Sequence, residues 1–254
     1  MMTQSSTSRL ILHQFDNRNE LGEQAALAVS ERMRDLLNQQ AFINLIFAAA
    51  PSQAEFLAAL CAQPDLDWSR VNGFHMDEYV QLPDDAPQRF GNFLTRHLFD
   101  RLPFRAVHYL DGNAPDLADE CTRYSLLLTQ FPVDIVCMGI GENCHIAFND
   151  PHVADFDDAQ LVKVVDLDTA CRQQQVNDGC FAHFDAVPTH ALTLTVPALM
   201  RAPHVFCMVP GMHKAQAVYH TLHSPVGEAY PSTILRWHDD ARLFIDRDSA
   251  SKLS

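Results

Sequence analysis

Two kinds of apolar pattern alternate along this chain. Between residues 17 and 40, Leu21, Ala25, Ala28, Val29, Met33, Leu36 and Leu37 recur every three or four positions, the period of a helix that buries one face. Residues 41–50 (AFINLIFAAA) form instead a nearly unbroken apolar run, short and closed by Pro51. Such a run predicts a strand covered on both faces and ending near Ala48. Ser52 then predicts a cap for a helix over about 53–62, with Glu55 favourable in its first turn. The alternation continues with predicted strands over 9–15, 71–75, 107–110, 133–138, 161–165, 192–195, 205–209 and 242–245, and predicted helices over 89–102, 115–130 and 213–222.

Strands that alternate with helices in this way predict an α/β fold, Rossmann-like, with a mostly parallel sheet and helices on both faces. No linker, repeat or shift in composition divides the chain, so residues 9–254 are read as one domain. Residues 1–8, rich in Ser and Thr, are read as a disordered tail. In open sheets of this class ligands sit beyond the carboxyl ends of the strands, which directs attention to the loops after Phe47, His75, Met138 and Val209.

Composition narrows the partners. The chain has 254 residues, of which 47% are hydrophobic, enough for a sizeable core. Its formal net charge of −14 repels nucleic acid and anionic membranes. A small anionic substrate would need a local positive pocket. Seven cysteines, an odd number with no CxxC pair, and the lack of a basic-then-apolar leader predict free thiols in a reducing cytoplasm.

Four segments carry candidate chemistry. In FHMDEYVQLP (74–83), Asp77 and Glu78 follow a predicted strand end, where a carboxylate can act as a general base if desolvated; a solvated acidic loop is the plainer alternative. In MGIGENCHIAFNDP (138–151), Gly139 and Gly141 permit a tight turn, and His145 with Asp150 offers a proton relay, weighed against a structural histidine. Cys144 beside His145 raises a thiol nucleophile, but neighbours in an extended loop point apart, so a buried thiol is the better reading. In PGMHKAQAV (210–218), Lys214 falls in the first turn of a predicted helix, where a bound anion would account for it; the alternative is a solvated lysine. In AAAPSQAEF (48–56), Ser52 and backbone amides can hold a phosphate, or simply cap a helix; the segment is no Walker loop. The histidines and cysteines show no metal-ligand spacing, and no metal is predicted.

Taken in order, MDEYVQLP (76–83), LDGNAPD (110–116), HIAFNDP (145–151), VPTHALTLTV (187–196) and GxxKA (211–215) make the chain resemble the glucosamine-6-phosphate deaminase/isomerase family over nearly its whole length. The family shares its fold with 6-phosphogluconolactonases; Tyr79 and Ala147-Phe148-Asn149 favour the deaminase branch. The resemblance implies a deaminating aldose–ketose isomerase acting on a hexosamine 6-phosphate, with no cofactor. It assigns catalytic roles to Asp77 (general base), His145 (ring-opening acid/base), Asp150 and Asn143. It assigns substrate or phosphate binding to Ser52, Gln53, Glu78, Gly139, Gly141, Ala147 and Lys214.

Departures are also visible. Asn143-Cys144-His145 stands for the usual Asp-Gly-His, Asp150 for a Glu, and residues 48–53 for a Gly- and Thr-rich loop. The usual phosphate-binding Arg falls near Gln175, with Arg172 as the expected substitute. An altered substrate is the expectation these changes carry. A lactonase-like hydrolase and a non-catalytic sugar-phosphate sensor remain alternatives. The resemblance also brings the expectation of a homo-oligomer, whose interface the residues do not reveal.

Overall fold

The computed structural model describes residues 9–253; the tail predicted over 1–8 lies outside the described residues. Ten strands and seven helices follow one another as β1 (Ile11–Phe15), α1 (Arg18–Leu37), β2 (Ile43–Phe47), α2 (Ala54–Cys61), β3 (Val71–His75), β4 (Asp77–Tyr79), α3 (Phe90–His97), β5 (Ala106–His108), α4 (Leu117–Gln130), β6 (Ile135–Met138), β7 (Val162–Asp166), α5 (Thr169–Asn177), β8 (His190–Leu194), α6 (Val196–Met200), β9 (His204–Val209), α7 (Ala215–His223) and β10 (Ala241–Asp246).

Seven strands form one sheet in the order β1-β10-β9-β6-β2-β3-β5, with every neighbouring pair parallel. The chain steps outward from β2 through β3 to β5, then returns to β6 and steps the other way through β9 to β10. The switch therefore falls between β2 and β6, the place where such sheets open a crevice at their carboxyl ends. The unbroken apolar runs follow from burial on both faces. Ile46, Val136, Met138 and Cys207 point into one core layer with Tyr124 of α4 and Val218 of α7. Leu45, Phe47, Cys137 and Met208 point into the other, against α1 and α2. Helix α1 shows why the 3.6-residue pattern works: Leu21, Ala25, Val29 and Met33 are buried, and Asn17 caps the start through bonds from the backbone N–H groups of Asn19 and Glu20 at 3.0 Å each. Each of its large buried side chains contributes on the order of 1.5–3 kcal/mol.

The predicted strands over 161–165 and 192–195 do not join this sheet. Instead β7 pairs antiparallel with β8, and β8 with β4, in a separate layer ordered β4-β8-β7. β4 itself was expected as a loop, because three residues are too few for period-2 alternation to register. Its strand geometry comes from its partner: Asp77 pairs with Thr193, and Tyr79 with Ala191. One face of this small sheet packs Leu192 and Leu194 into the main core. The other joins Tyr79, Val165 and Ala191 to a third cluster with Phe148 and Phe181.

Other differences are local. The helix expected over 89–102 stops at His97 and continues as a 3-10 turn over Phe99–Arg101. Ser52 does not cap a helix: Pro51–Gln53 is a 3-10 turn, α2 starts at Ala54, and no side chain caps either start. Helices α5 and α6 were not predicted. α5 is polar (TACRQQQVN) and shows no apolar stripe; its start is set by Asp168, whose Oδ1 accepts from the Cys171 N–H at 2.6 Å. No described helix is long and apolar enough to cross a membrane.

Candidate active site

A cleft lies beyond the carboxyl ends of β2, β3, β6 and β9, where ligands of open α/β sheets sit. The candidate residues Asp77, His145, Ser52, Gln53, Gly139, Gly141, Ala147 and Lys214 all line it, together with Gln174 and Gln175 from α5 and Asp178 just after it.

Asp77 is 7% exposed, and among the described residues its carboxylate has no hydrogen-bond or ion-pair partner. Pairing of β4 with β8 fixes its backbone, and His75 adds a second hold. The His75 ring Nδ1 lies 2.8 Å from the Asp77 carbonyl, while Nε2 lies 2.9 Å from the Leu110 N–H. That arrangement requires Nδ1 to carry the proton and Nε2 to accept. Burial pushes His75 down to about 4, so the ring is neutral. Burial, then the neighbouring Glu78 charge, pushes the Asp77 carboxyl well above the usual carboxylate range.

Glu78 points to the opposite side of the strand and does not line the cleft. Its carboxylate accepts from the N–H groups of Tyr79 (2.9 Å), Phe90 (3.0 Å) and Gly91 (3.0 Å), serving the unsatisfied start of α3. Burial lifts it to about 7 against the pull of those bonds. The expectation that Glu78 touches substrate is corrected by this placement.

His145 is 8% exposed and comes off the loop after β6. Its Nδ1 lies 3.0 Å from Asp150 Oδ1, though the angle is too bent for a good hydrogen bond. The ring lies over Gly141, where a Cβ would meet it at 2.2 Å; only glycine fits. A Cβ on Gly139 would likewise come within 2.9 Å of Gln53 Nε2. Asp150 is fully buried. Burial raises its carboxyl, but the His145 imidazole and the Asn143 amide outweigh this and hold it below the usual range.

Asn143 stands behind His145 rather than in the cleft. Its Nδ2 donates to Asp150 Oδ1 (2.9 Å) and Asp168 Oδ2 (3.2 Å), and its Oδ1 accepts from the His145 backbone N–H (3.2 Å). An amide can bridge two carboxylates here, as a third carboxylate could not. The Cys144 thiol is buried, 3.8 Å from the Ala217 carbonyl and lifted by burial to about 11, which removes it as a nucleophile.

Lys214 is the last residue of a 3-10 turn over Met212–Lys214 rather than part of the following helix. It is 3% exposed, not solvated, and its ammonium has no hydrogen bond or ion pair among the described residues. Burial holds its ammonium below the ordinary lysine value, partly offset by Asp178 and Glu142. Arg172 does not substitute for an arginine at Gln175. Its guanidinium donates to the carbonyls of Phe184 (3.1 Å) and Val187 (2.9 Å) and lies 4.0 Å over the Phe184 ring, away from the cleft.

Sequence reasoning overlooked His75, Asp168, Gln174 and Asp178. Asp168 carried a signal, an Asp before a polar segment in capping position. His75 carried none, because its role depends on β5 passing beside it. Two of the metal-compatible groupings, His145/Asp150/Cys171 and Asp150/His152/Asp168, share Asp150, whose oxygens already face His145, Asn143 and the Asp168 N–H; the third is Glu142/Asp178/His213.

A parallel sheet with its cleft at the switch point, lined by a buried unpaired carboxylate, an imidazole and one lysine, defines an α/β enzyme with a small-molecule site. The chain belongs to the family described as glucosamine-6-phosphate isomerases/6-phosphogluconolactonase, whose model matches residues 16–244. It is 35% identical over 189 residues, 74% of this chain and 70% of the relative, to a glucosamine-6-phosphate deaminase of Bacillus cytotoxicus. A solved monomeric glucosamine-6-phosphate deaminase superposes with a TM-score of 0.88 at 26% identity, over 95% of this chain and 99% of that one. The 6-phosphogluconolactonase of Trypanosoma brucei shares the fold, with a TM-score of 0.80 at 17% identity over 98% of this chain and 100% of that one.

Proposed function

We propose that this enzyme is a deaminating aldose–ketose isomerase that converts a hexosamine 6-phosphate and water to a ketohexose 6-phosphate and ammonia. The observation that carries the reading is Asp77: a buried carboxylate, lifted above its usual range and without a partner among the described residues, held at the wall of a cleft that also presents His145 and Lys214. Carbon acids need such a base, strong because it is poorly solvated and free because nothing else binds it.

His145, backed by Asp150, serves the ring oxygen and opens the sugar to its aldehyde. Asp77 takes the proton from C2 and returns it to C1, leaving an imine at C2 and an alcohol at C1. Water adds to the imine, ammonia leaves, and C2 becomes the ketone. Lys214, Ser52 and Gln53 receive the anionic tail at the far end. The reaction takes place in the reducing cytoplasm, which suits seven free cysteines.

The test is direct. Purified protein incubated with glucosamine 6-phosphate and its epimers should release ammonium and ketose phosphate in equal amounts, and Asp77→Asn should abolish both. Ligand binding without either product, or lactone hydrolysis without ammonium, would sink the proposal.

A further inference from the structure

At its tail end the cleft has little positive charge. Among the described residues Lys214 is the one cation that lines it. Asp178, the residue that follows α5, lines the same cleft, and its charge and that of Glu142, on the loop after β6, both act on the ammonium. His213, on the same turn as Lys214, is half-exposed and reaches Asp178 at 3.9 Å. The other polar groups are neutral and partly occupied. Gln53 Nε2 already donates to the Met208 carbonyl (3.2 Å) and Ser52 Oγ (3.3 Å). Gln174 Oε1 accepts from the Glu142 N–H (2.8 Å), and its Nε2 donates to Asp178 Oδ2 (3.3 Å). With Asp178 ionised, a doubly charged tail would meet one buried cation and one nearby anion, within a molecule of net charge −14. Two negative charges desolvated against a single positive one leave an uncompensated charge in a poorly solvated place, which is costly.

We infer that the cleft selects substrates whose tail carries a single negative charge, and that Asp178 sets this limit. The shared chemistry is a tetrahedral or planar monoanion: a phosphate ester that has kept its second proton, a sulfate ester, or a carboxylate. The inference rests on the reading of the cleft as an amino-sugar deaminase site, with the sugar between Asp77 and Lys214.

A phosphate ester loses its second proton near pH 6, whereas a sulfate ester stays singly charged throughout. The ratio of kcat/KM for glucosamine 6-phosphate to that for glucosamine 6-sulfate cancels groups that act on the shared sugar, such as Asp77, and reports the tail together with the charges around it. Measured with a chelator present, because Glu142, Asp178 and His213 could hold a metal ion, this ratio should fall about tenfold per pH unit between pH 6 and 8. The Asp178→Asn variant should raise the ratio about tenfold at pH 8, the loss of one unfavourable charge contact. A 2-amino-hexuronate supplies the carboxylate arm and separates a planar from a tetrahedral monoanion.

A ratio that stays level or rises with pH, or one that Asp178→Asn leaves in place, would overturn the inference. If no ester releases ammonia, calorimetric binding of the same pair decides. Tight sulfate binding with phosphate binding that weakens above pH 6 upholds the tail rule while the deaminase reading falls. Binding of neither, or phosphate binding that strengthens above pH 6, overturns the rule too.

Discussion

The two faces of β4 put nearly the same side chain to opposite uses. Asp77 and Glu78 are adjacent and both buried, and burial raises the pKa of both. On the face toward the main sheet's crevice, Asp77 has no partner among the described residues and looks into the cleft. On the face toward α3, Glu78 is held by three backbone N–H groups. A desolvated carboxylate without donors is reactive, and one with donors is structural. The difference comes from what each face of the strand packs against, since the residue types differ by one methylene.

Substitutions can break that contrast. The largest effect is expected from Asp77→Asn, which should lower kcat by about a thousandfold, the usual scale for a general base, with an unchanged melting temperature. Lys214→Met should raise KM by about a hundredfold and change kcat much less, as loss of a charged tail contact does in steady-state kinetics. Glu78→Gln should do the reverse of Asp77→Asn. Its amide N–H₂ would face the Gly91 N–H, costing about 2 kcal/mol and several degrees in a thermal melt, while activity survives.

The same variant sharpens the comparison through pH. Asp77 must be ionised to act as a base, and its raised pKa moves the acid limb of kcat above the ordinary carboxylate range. Burial is the larger cause and remains, but removing the Glu78 charge takes away the second, so the limb should move to lower pH in Glu78→Gln. The smallest effect is expected from Asn143→Asp, which installs the residue the resemblance leads one to expect. Without the amide between Asp150 and Asp168, three carboxylates crowd one site, and kcat should drop about tenfold. A gain in activity would show that the amide is not what the surroundings require.

Much of the fold was legible because burial on both faces leaves a strong mark. The runs that became β2, β6 and β9 are apolar but for Asn44 and for His204 at the start of β9, and α1 shows a full stripe. Asp77, His145 and Lys214 stood out because each follows a strand end. β4, α5 and the separate antiparallel layer were not legible: the first is too short for a period, the second too polar for a stripe, and the third is a pairing between distant segments. Glu78 and Arg172 were assigned to the cleft because proximity along the chain was all that could be judged. The structure turns Glu78 toward α3 and ties Arg172 to the Phe184 and Val187 carbonyls.

By itself the sequence determined the parallel sheet, the order of its elements and the residue types available at the strand ends, because periodicity and burial are local properties of a chain. Tertiary structure alone decided which of two adjacent carboxylates is free, that Asn143 bridges Asp150 and Asp168, and that Asp178 shares the cleft with Lys214. Those outcomes depend on side chains far apart in sequence sharing one poorly solvated space, where a partner's presence or absence changes what a charge can do.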